Sequence, residues 1–147
     1  MKENMKKIQE TMRLSIFEVF EKMFYIFLEP LDGEYDAYDM EAVIEFEGTT
    51  SGEIRLLLSR DVVKTMVENM LGLAEDEITG QDMEDCSKEA ANMIAGNFLG
   101  NLDSTEAFNL SIPTFRLECS GLPAGENTCR MGFDSDGGKI GIVVEVK

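Results

Sequence analysis

The chain contains no histidine and no tryptophan, and only three prolines and three cysteines in 147 residues. Without histidine there is no Ser–His or Cys–His nucleophile, no imidazole base and little scope for a zinc site. Chemistry is left to carboxylates, amides, hydroxyls, lysine and backbone. The cysteines, Cys86, Cys119 and Cys129, are odd in number and form no CxxC. With ten methionines and no signal-peptide pattern, they point to a reducing cytoplasm. Cys119 and Cys129 read as two small buried thiols rather than a pair across neighbouring strands. Positive charge is scarce: 13 Lys and Arg face 29 Asp and Glu, for a net charge of −16. Nucleic acid and anionic lipid surfaces are repelled, so neither is an expected partner. The longest apolar run, Met23 to Leu28, is far too short to span a bilayer. There is no GxSxG, no phosphate-binding glycine loop with lysine and no dinucleotide fingerprint.

What is present is globular. The apolar fraction is 44%, with nine Phe, and the length suits one domain, residues 1–147, with a proper core. Residues 4–28 read as a helix: Met5, Ile8, Met12, Ile16, Val19, Met23 and Phe27 recur at steps of three and four. Phe17, Phe20 and Phe24 widen the apolar arc, and Pro30 and Gly33 follow as terminators. From Tyr38 the period becomes two. Met40, Ala42, Ile44 and Phe46 alternate with Glu41, Val43, Glu45 and Glu47, which predicts a half-buried strand. Residues 54–58 are apolar on both faces and predict a central strand.

Ser59 reads as the N-cap of a short helix through Met70 that ends at Gly72. A loop over 75–80 leads into a second long helix, from about Gln81 to Asn101. Strands follow over 107–112 and 115–119, separated by Pro113, then a loop over 121–125. Strands over 128–133 and 139–146 are joined by a turn at 134–138. The expected fold is α+β in two layers, two long helices and a short one on a mostly antiparallel sheet. A weak internal repeat, offset by 71 residues, sets Glu18 on Glu89 and the 40–46 strand on 111–117, and adds a pseudo-twofold to that expectation. The first half then carries Glu18 and Glu21 where the second carries Glu89 and Asn92. Two calcium-loop look-alikes fail. The one at Asp32 has Ala37 and Val43 where glycine and glutamate are needed, and the one at Asp134 is better explained as a turn.

The most informative stretch lies on the second long helix. At about 100° per residue, and with Asp85 as zero, Glu89 falls near 40°, Asn92 near −20° and Gly96 near 20°. Cys86, Ala90, Met93 and Ile94 fall on a separate apolar arc, and Asn97 within that arc reads as a buried amide bonded to backbone. The small residues Ala91, Ala95 and Gly96 are expected beside the stripe, leaving a flat, approachable surface. A carboxamide can accept a hydrogen bond from water through its oxygen while its NH2 donates one to an anionic oxygen. That fixes a water in line with an electrophile without deprotonating it. Such positioning suffices for a labile bond such as an aspartyl phosphate, and a Gln orients water in the same way in the Ras family.

Glu89-Ala-Ala-Asn92-Met-Ile-Ala-Gly96, with Asp85 four residues before Glu89, resembles the (Asp/Ser)-xxx-Glu-xx-Asn signature of the CheC/CheX/FliY chemotaxis phosphatases. The element order matches as well. One intact copy of the signature, beside the degenerate Glu18-xx-Glu21, is most similar to CheX. The resemblance implies an enzyme that hydrolyses the aspartyl phosphate of a CheY-like response regulator. Asn92 would orient the hydrolytic water, and Glu89 would pair with the regulator's lysine. Asp85 would lie at the contact rim, and Gly96 would leave room for the partner's backbone. Lys88, Met93 and Leu99 complete the expected contact face. No cofactor of its own is implied, because the regulator would supply Mg2+. A homodimer is also implied, built partly through sheet edges, with the β-branched C-terminal strand as the expected contact. The alternatives are a non-catalytic binding module for a phosphorylated receiver domain and, further off, an assembly subunit of the flagellar switch.

Overall fold

In the computed structural model, residues 2–31, 33, 35–105, 107–119, 125, 127–135 and 137–147 are described, with side chains from residue 4. The apolar spacing winds helix α1 from Lys2 to Phe24 and buries Ile8, Met12, Ile16, Val19, Phe20 and Phe24. The helix stops short of the expected Leu28. Tyr25 turns into the left-handed region at φ 56. Its N–H donates to Glu21 O at 3.2 Å, and the Ile26 N–H donates to Phe20 O at 3.0 Å. The terminator is therefore this turn and not Pro30, and Phe27, expected in the apolar stripe, is 71% exposed.

A two-residue strand, β1 (Glu29–Pro30), is followed by β2 (Met40–Glu47) and β3 (Gly52–Leu58). Helix α2 (Arg60–Leu71) ends at Gly72 with φ 68, a left-handed cap that glycine adopts at no steric cost. The expected Ser59 side-chain cap is absent. Asp39 Oδ2 takes the Arg60 N–H at 2.6 Å instead, while Ser59 Oγ accepts from Lys139 N at 2.9 Å. A single 3-10 turn, Glu75–Glu77, occupies the expected loop and precedes helix α3 (Gly80–Leu102). Short strands β4 (Asn109–Leu110) and β5 (Thr114–Arg116) follow, then the long β6 (Thr128–Ser135) and β7 (Gly138–Val146). Most of the loop expected over 121–125, and Asp136 of the expected turn, lie outside the described residues, as do Asp32 and Glu34 of the rejected calcium loop.

The seven strands form one sheet in the order β1-β6-β7-β3-β2-β4, with β5 also on β2, and every described pairing is antiparallel. The three helices pack on one face. β3 is central, as its two-sided apolar pattern predicts. So is β7, between β6 and β3. That corrects one expectation: the C-terminal strand has both edges paired and cannot join a second copy. At an offset of 71 residues, β2 falls on residues 111–118, where the structure has the three-residue strand β5 and not a second eight-residue strand. The repeat is not visible at that register.

The outer face of the sheet is not simply solvated. Gly132 and Gly141 are paired neighbours on β6 and β7, and their missing side chains leave a dent that Tyr38 fills. A Cβ on Gly141 would lie 2.8 Å from the Tyr38 ring. Burial pushes the Tyr38 hydroxyl up to about 12 from its usual 10, against an opposing pull from Arg130. The folded chain thus holds this proton where the unfolded chain would lose it. Stability that is fully present below pH 10 falls as pH rises through about 12. Tyr38→Phe is expected to flatten part of that decline in alkaline denaturation curves, and the tyrosinate absorbance of wild type should include one late titration.

Glu41, expected in solvent, is also buried, at 0% exposure. Its carboxylate lies 3.8 Å from Arg55 Nη1 and 3.7 Å from Arg116 Nη1. β5 lies alongside β2 with Arg116 opposite Glu41, so the edge strand both covers and neutralises the charge.

Candidate functional site

Helix α3 starts on a reciprocal cap. Thr79 Oγ1 accepts from Asp82 N at 3.1 Å, and Asp82 Oδ2 accepts from Thr79 N at 3.0 Å. This fixes the rotational setting of every later residue on the helix. Met83, Cys86, Ala90, Ala91, Ile94, Ala95, Phe98 and Leu99 turn inward and are buried. The buried arc is therefore wider than the sequence suggests and includes three positions assigned outward. Ala91 and Ala95 are 0% exposed. They are small because α3 sits close on the sheet and α1, not because a partner approaches them. Leu99 is 3% exposed and belongs to the core, so it leaves the expected contact face. Met93, placed on the apolar arc, is instead 44% exposed, as its assignment to that face requires.

Asp85, Glu89, Asn92 and Gly96 are all exposed on one side of α3. Asp85 is held by Gln81, whose Nε2 donates to Oδ1 at 2.8 Å. Lys88 is half-buried and pairs with Glu84 at 2.9 Å. Glu89 and Asn92 make no side-chain hydrogen bond or ion pair among the described residues. Both therefore keep their full hydrogen-bonding capacity for an incoming group. Gly96 faces open space: a Cβ there would meet nothing within 4 Å. No internal packing requires glycine at this position. Behind the stripe, burial first and the Glu89 charge second push the Cys86 thiol up to about 12, so it stays protonated and unreactive.

Asn97 does not bond backbone as expected. It is half-buried, donates to Glu18 Oε2 on α1 at 3.3 Å and accepts from Asn101 Nδ2 at 2.9 Å. Glu18 also pairs with Lys22 at 2.7 Å. These residues tie the two long helices together. Cys119 is half-buried and donates to Tyr38 O at 3.6 Å, Cys129 is buried, and all three cysteines are free.

The stripe does not stand alone. Asp85, Lys88, Glu89 and Asn92 line one shallow, open depression with Ser111, Ile112 and Pro113 from the β4–β5 edge. Sequence reasoning missed these three. The available signal was Pro113 interrupting a strand that starts beside a helix of unknown neighbour. Among the described residues no three His, Cys, Asp or Glu side chains converge to hold a metal ion, and no helix is long and apolar enough to cross a membrane.

The fold and the stripe define an α+β domain with a carboxylate and a carboxamide one helical turn apart on an exposed helix face, both unpartnered among the described residues. A family model described as chemotaxis phosphatase CheX matches residues 40–122. That is more than half of the chain, and the chain belongs to this family. No curated protein sequence matches it. Among solved structures, the chemotaxis protein CheX from Vibrio vulnificus is 18% identical with a TM-score of 0.79, covering 95% of this chain and 96% of that one. CheX from Desulfovibrio desulfuricans is 20% identical with a TM-score of 0.78, covering 95% and 99%. A CheX–CheY–BeF3–Mg2+ complex from Borrelia burgdorferi contains a chain 18% identical with a TM-score of 0.72, covering 94% and 96%.

Proposed function

We propose that this chain hydrolyses the aspartyl phosphate of a CheY-like response regulator. The observation that carries the reading is the pair Glu89 and Asn92, unpartnered among the described residues, on the exposed face of a capped helix. Asn92 Oδ1 accepts a hydrogen bond from the attacking water and its NH2 donates one to a phosphoryl oxygen. The water is thereby held in line with phosphorus, and the acyl-phosphate bond breaks with the carboxylate leaving. Glu89 pairs with the regulator's lysine and anchors the two surfaces. Asp85, steadied by Gln81, extends the anionic rim on which that lysine is received. Mg2+ comes with the regulator and neutralises the phosphoryl oxygens. This chain's part is positioning, for which a hundredfold acceleration needs only about 2.7 kcal/mol.

The family match and the CheX–CheY complex among the similar structures support the partner class. A non-catalytic receiver-binding module would use the same stripe. The two readings separate on stoichiometry. With the chain at about one part in twenty of an acetyl-phosphate-charged receiver, a phosphatase clears the whole phosphorylated pool, whereas a binder protects or titrates only its own equivalent. Self-association through a sheet edge is part of the same proposal. The β4–β5 end lies beside the stripe, which leaves the β1–β6 end for a second copy, and sedimentation of the purified chain measures it.

Gly96 supplies a further expected result. Gly96→Ala should raise stability by about 0.5–1 kcal/mol in urea denaturation, because alanine is the better helix former and its methyl clashes with nothing here. The same methyl stands on the face offered to the regulator and should raise KM. A variant that is more stable and unchanged in KM would remove Gly96 from the contact.

A further inference from the structure

The edge of the sheet beside the stripe carries a bulge. Leu110 pairs with Phe46, and Thr114 pairs with Val43. Between them Ser111 lies opposite Glu45: its N–H donates to Glu45 O at 2.9 Å, and its Oγ accepts from Glu45 N at 2.9 Å. Ile112 and Pro113 are thus two residues set against the single Ile44. An extra residue in one strand of an antiparallel pair throws its side chains out of the alternation and bends the strand. The sequence dictates the position. Pro113 has no N–H to give to the ladder and holds the residue before it extended. Ser111 supplies through its hydroxyl the acceptor that a regular strand would have supplied from backbone.

The bulge places Ile112 at 86% exposure, the highest of the exposed large hydrophobic side chains. It does so on the wall of the depression that holds Asp85, Lys88, Glu89 and Asn92. An isolated apolar side chain in water is ordinary. This one is pinned on both sides, by the two Ser111 bonds before it and by β5 after it, where Arg116 faces the buried Glu41 at 3.7 Å. Met93, 44% exposed, lies on the flank of the stripe away from Lys88. The polar pair therefore sits between two apolar side chains.

We propose that Ile112, held forward by the Ser111–Pro113 bulge, is the apolar docking contact for the receiver domain. It seats on an apolar patch of that domain beside the phosphorylated aspartate, while the carboxylates of Asp85 and Glu89 meet the lysine. The proposal rests on the reading of the stripe as the receiver-binding face. Ile112 touches neither water nor phosphate in this scheme. It sets affinity, and Asn92 sets rate. A side chain already held in place loses little freedom on contact, so more of its burial appears as affinity.

The test is an Ile112→Asp variant with Ile112→Leu beside it, both at an exposed site where folding is not at risk. Two measurements are made with a CheY-like receiver: kcat and KM for its acetyl-phosphate-charged form, and Kd for its beryllofluoride-loaded form with Mg2+ by fluorescence anisotropy. Ile112→Asp is expected to raise KM and Kd about tenfold or more with kcat within about twofold, and Ile112→Leu to stay near wild type. Unchanged Kd in Ile112→Asp overturns the docking role, as does a fall in kcat at constant KM. Dissociation of a dimer in sedimentation with Kd unchanged assigns the bulge to a second copy and overturns it too. Turnover that survives Asn92→Ala defeats the catalytic reading instead, and the anisotropy arm still decides Ile112.

Discussion

Asn92→Ala is expected to return the decay of a phosphorylated receiver to its unassisted rate, a loss of about hundredfold and about 2.7 kcal/mol of barrier. The fold should not notice. Asn92 is exposed and its side chain has no hydrogen-bond partner among the described residues, and alanine is the stronger helix former. The loss should fall on kcat with the beryllofluoride-loaded receiver still bound, because the amide acts on the water and not on the docking surface. Asn92→Asp separates positioning from simple polarity. It keeps an acceptor for the water but removes the NH2 and adds a negative charge facing the phosphoryl group, so it should be no better than alanine. Full turnover in either variant would take Asn92 out of the chemistry. Glu89→Ala should act differently, chiefly raising KM, because the anchor for the lysine is gone while the amide remains.

Phe98→Ala is the second large effect. Phe98 is 0% exposed in the last turns of α3 and packs into the core shared by α1, α3 and the sheet. Truncating a buried Phe removes apolar contact and leaves a cavity that the surroundings relax only partly to fill, so about 3–5 kcal/mol of stability should be lost in guanidinium denaturation. Met93→Ala on the same helix should change stability by no more than about 0.5 kcal/mol, because Met93 is exposed. A Phe98 variant within about 1 kcal/mol of wild type would mean that the helix carrying the stripe is held less firmly than its burial implies.

Periodicity made most of this architecture legible, because apolar spacing is a statement about which side of an element faces the core. The helices, the alternation of β2 and the central position of β3 all follow from it. It failed where something other than the element's own pattern decides burial. Glu41 alternates as a solvent-facing residue should, yet β5, distant in sequence, lies alongside it with Arg116 opposite. Tyr38 and the paired glycines Gly132 and Gly141 make contact only once two strands and a loop come together.

On α3 the helical wheel correctly grouped Asp85, Glu89, Asn92 and Gly96. It misjudged Ala91, Ala95 and Leu99, because a small side chain looks the same in sequence whether it admits a partner or a neighbouring strand. The end of α1 was hidden in Tyr25, a non-glycine residue in a left-handed turn, while Pro30 offered a stronger but false signal. The bulge at Ile112 was half visible. Pro113 announced a break, but that the break abuts the stripe is a matter of register, which no local pattern records.

The alanine seam of α3 has one more consequence. Close packing fixes the hidden side of that helix, whereas Glu89 and Asn92 on its open side make no side-chain hydrogen bond or ion pair among the described residues, and a Cβ on Gly96 would meet nothing within 4 Å. Residues there can be exchanged at almost no cost to folding. A change of partner could therefore arise in a descendant by substitutions on one flank alone, with the inherited scaffold untouched.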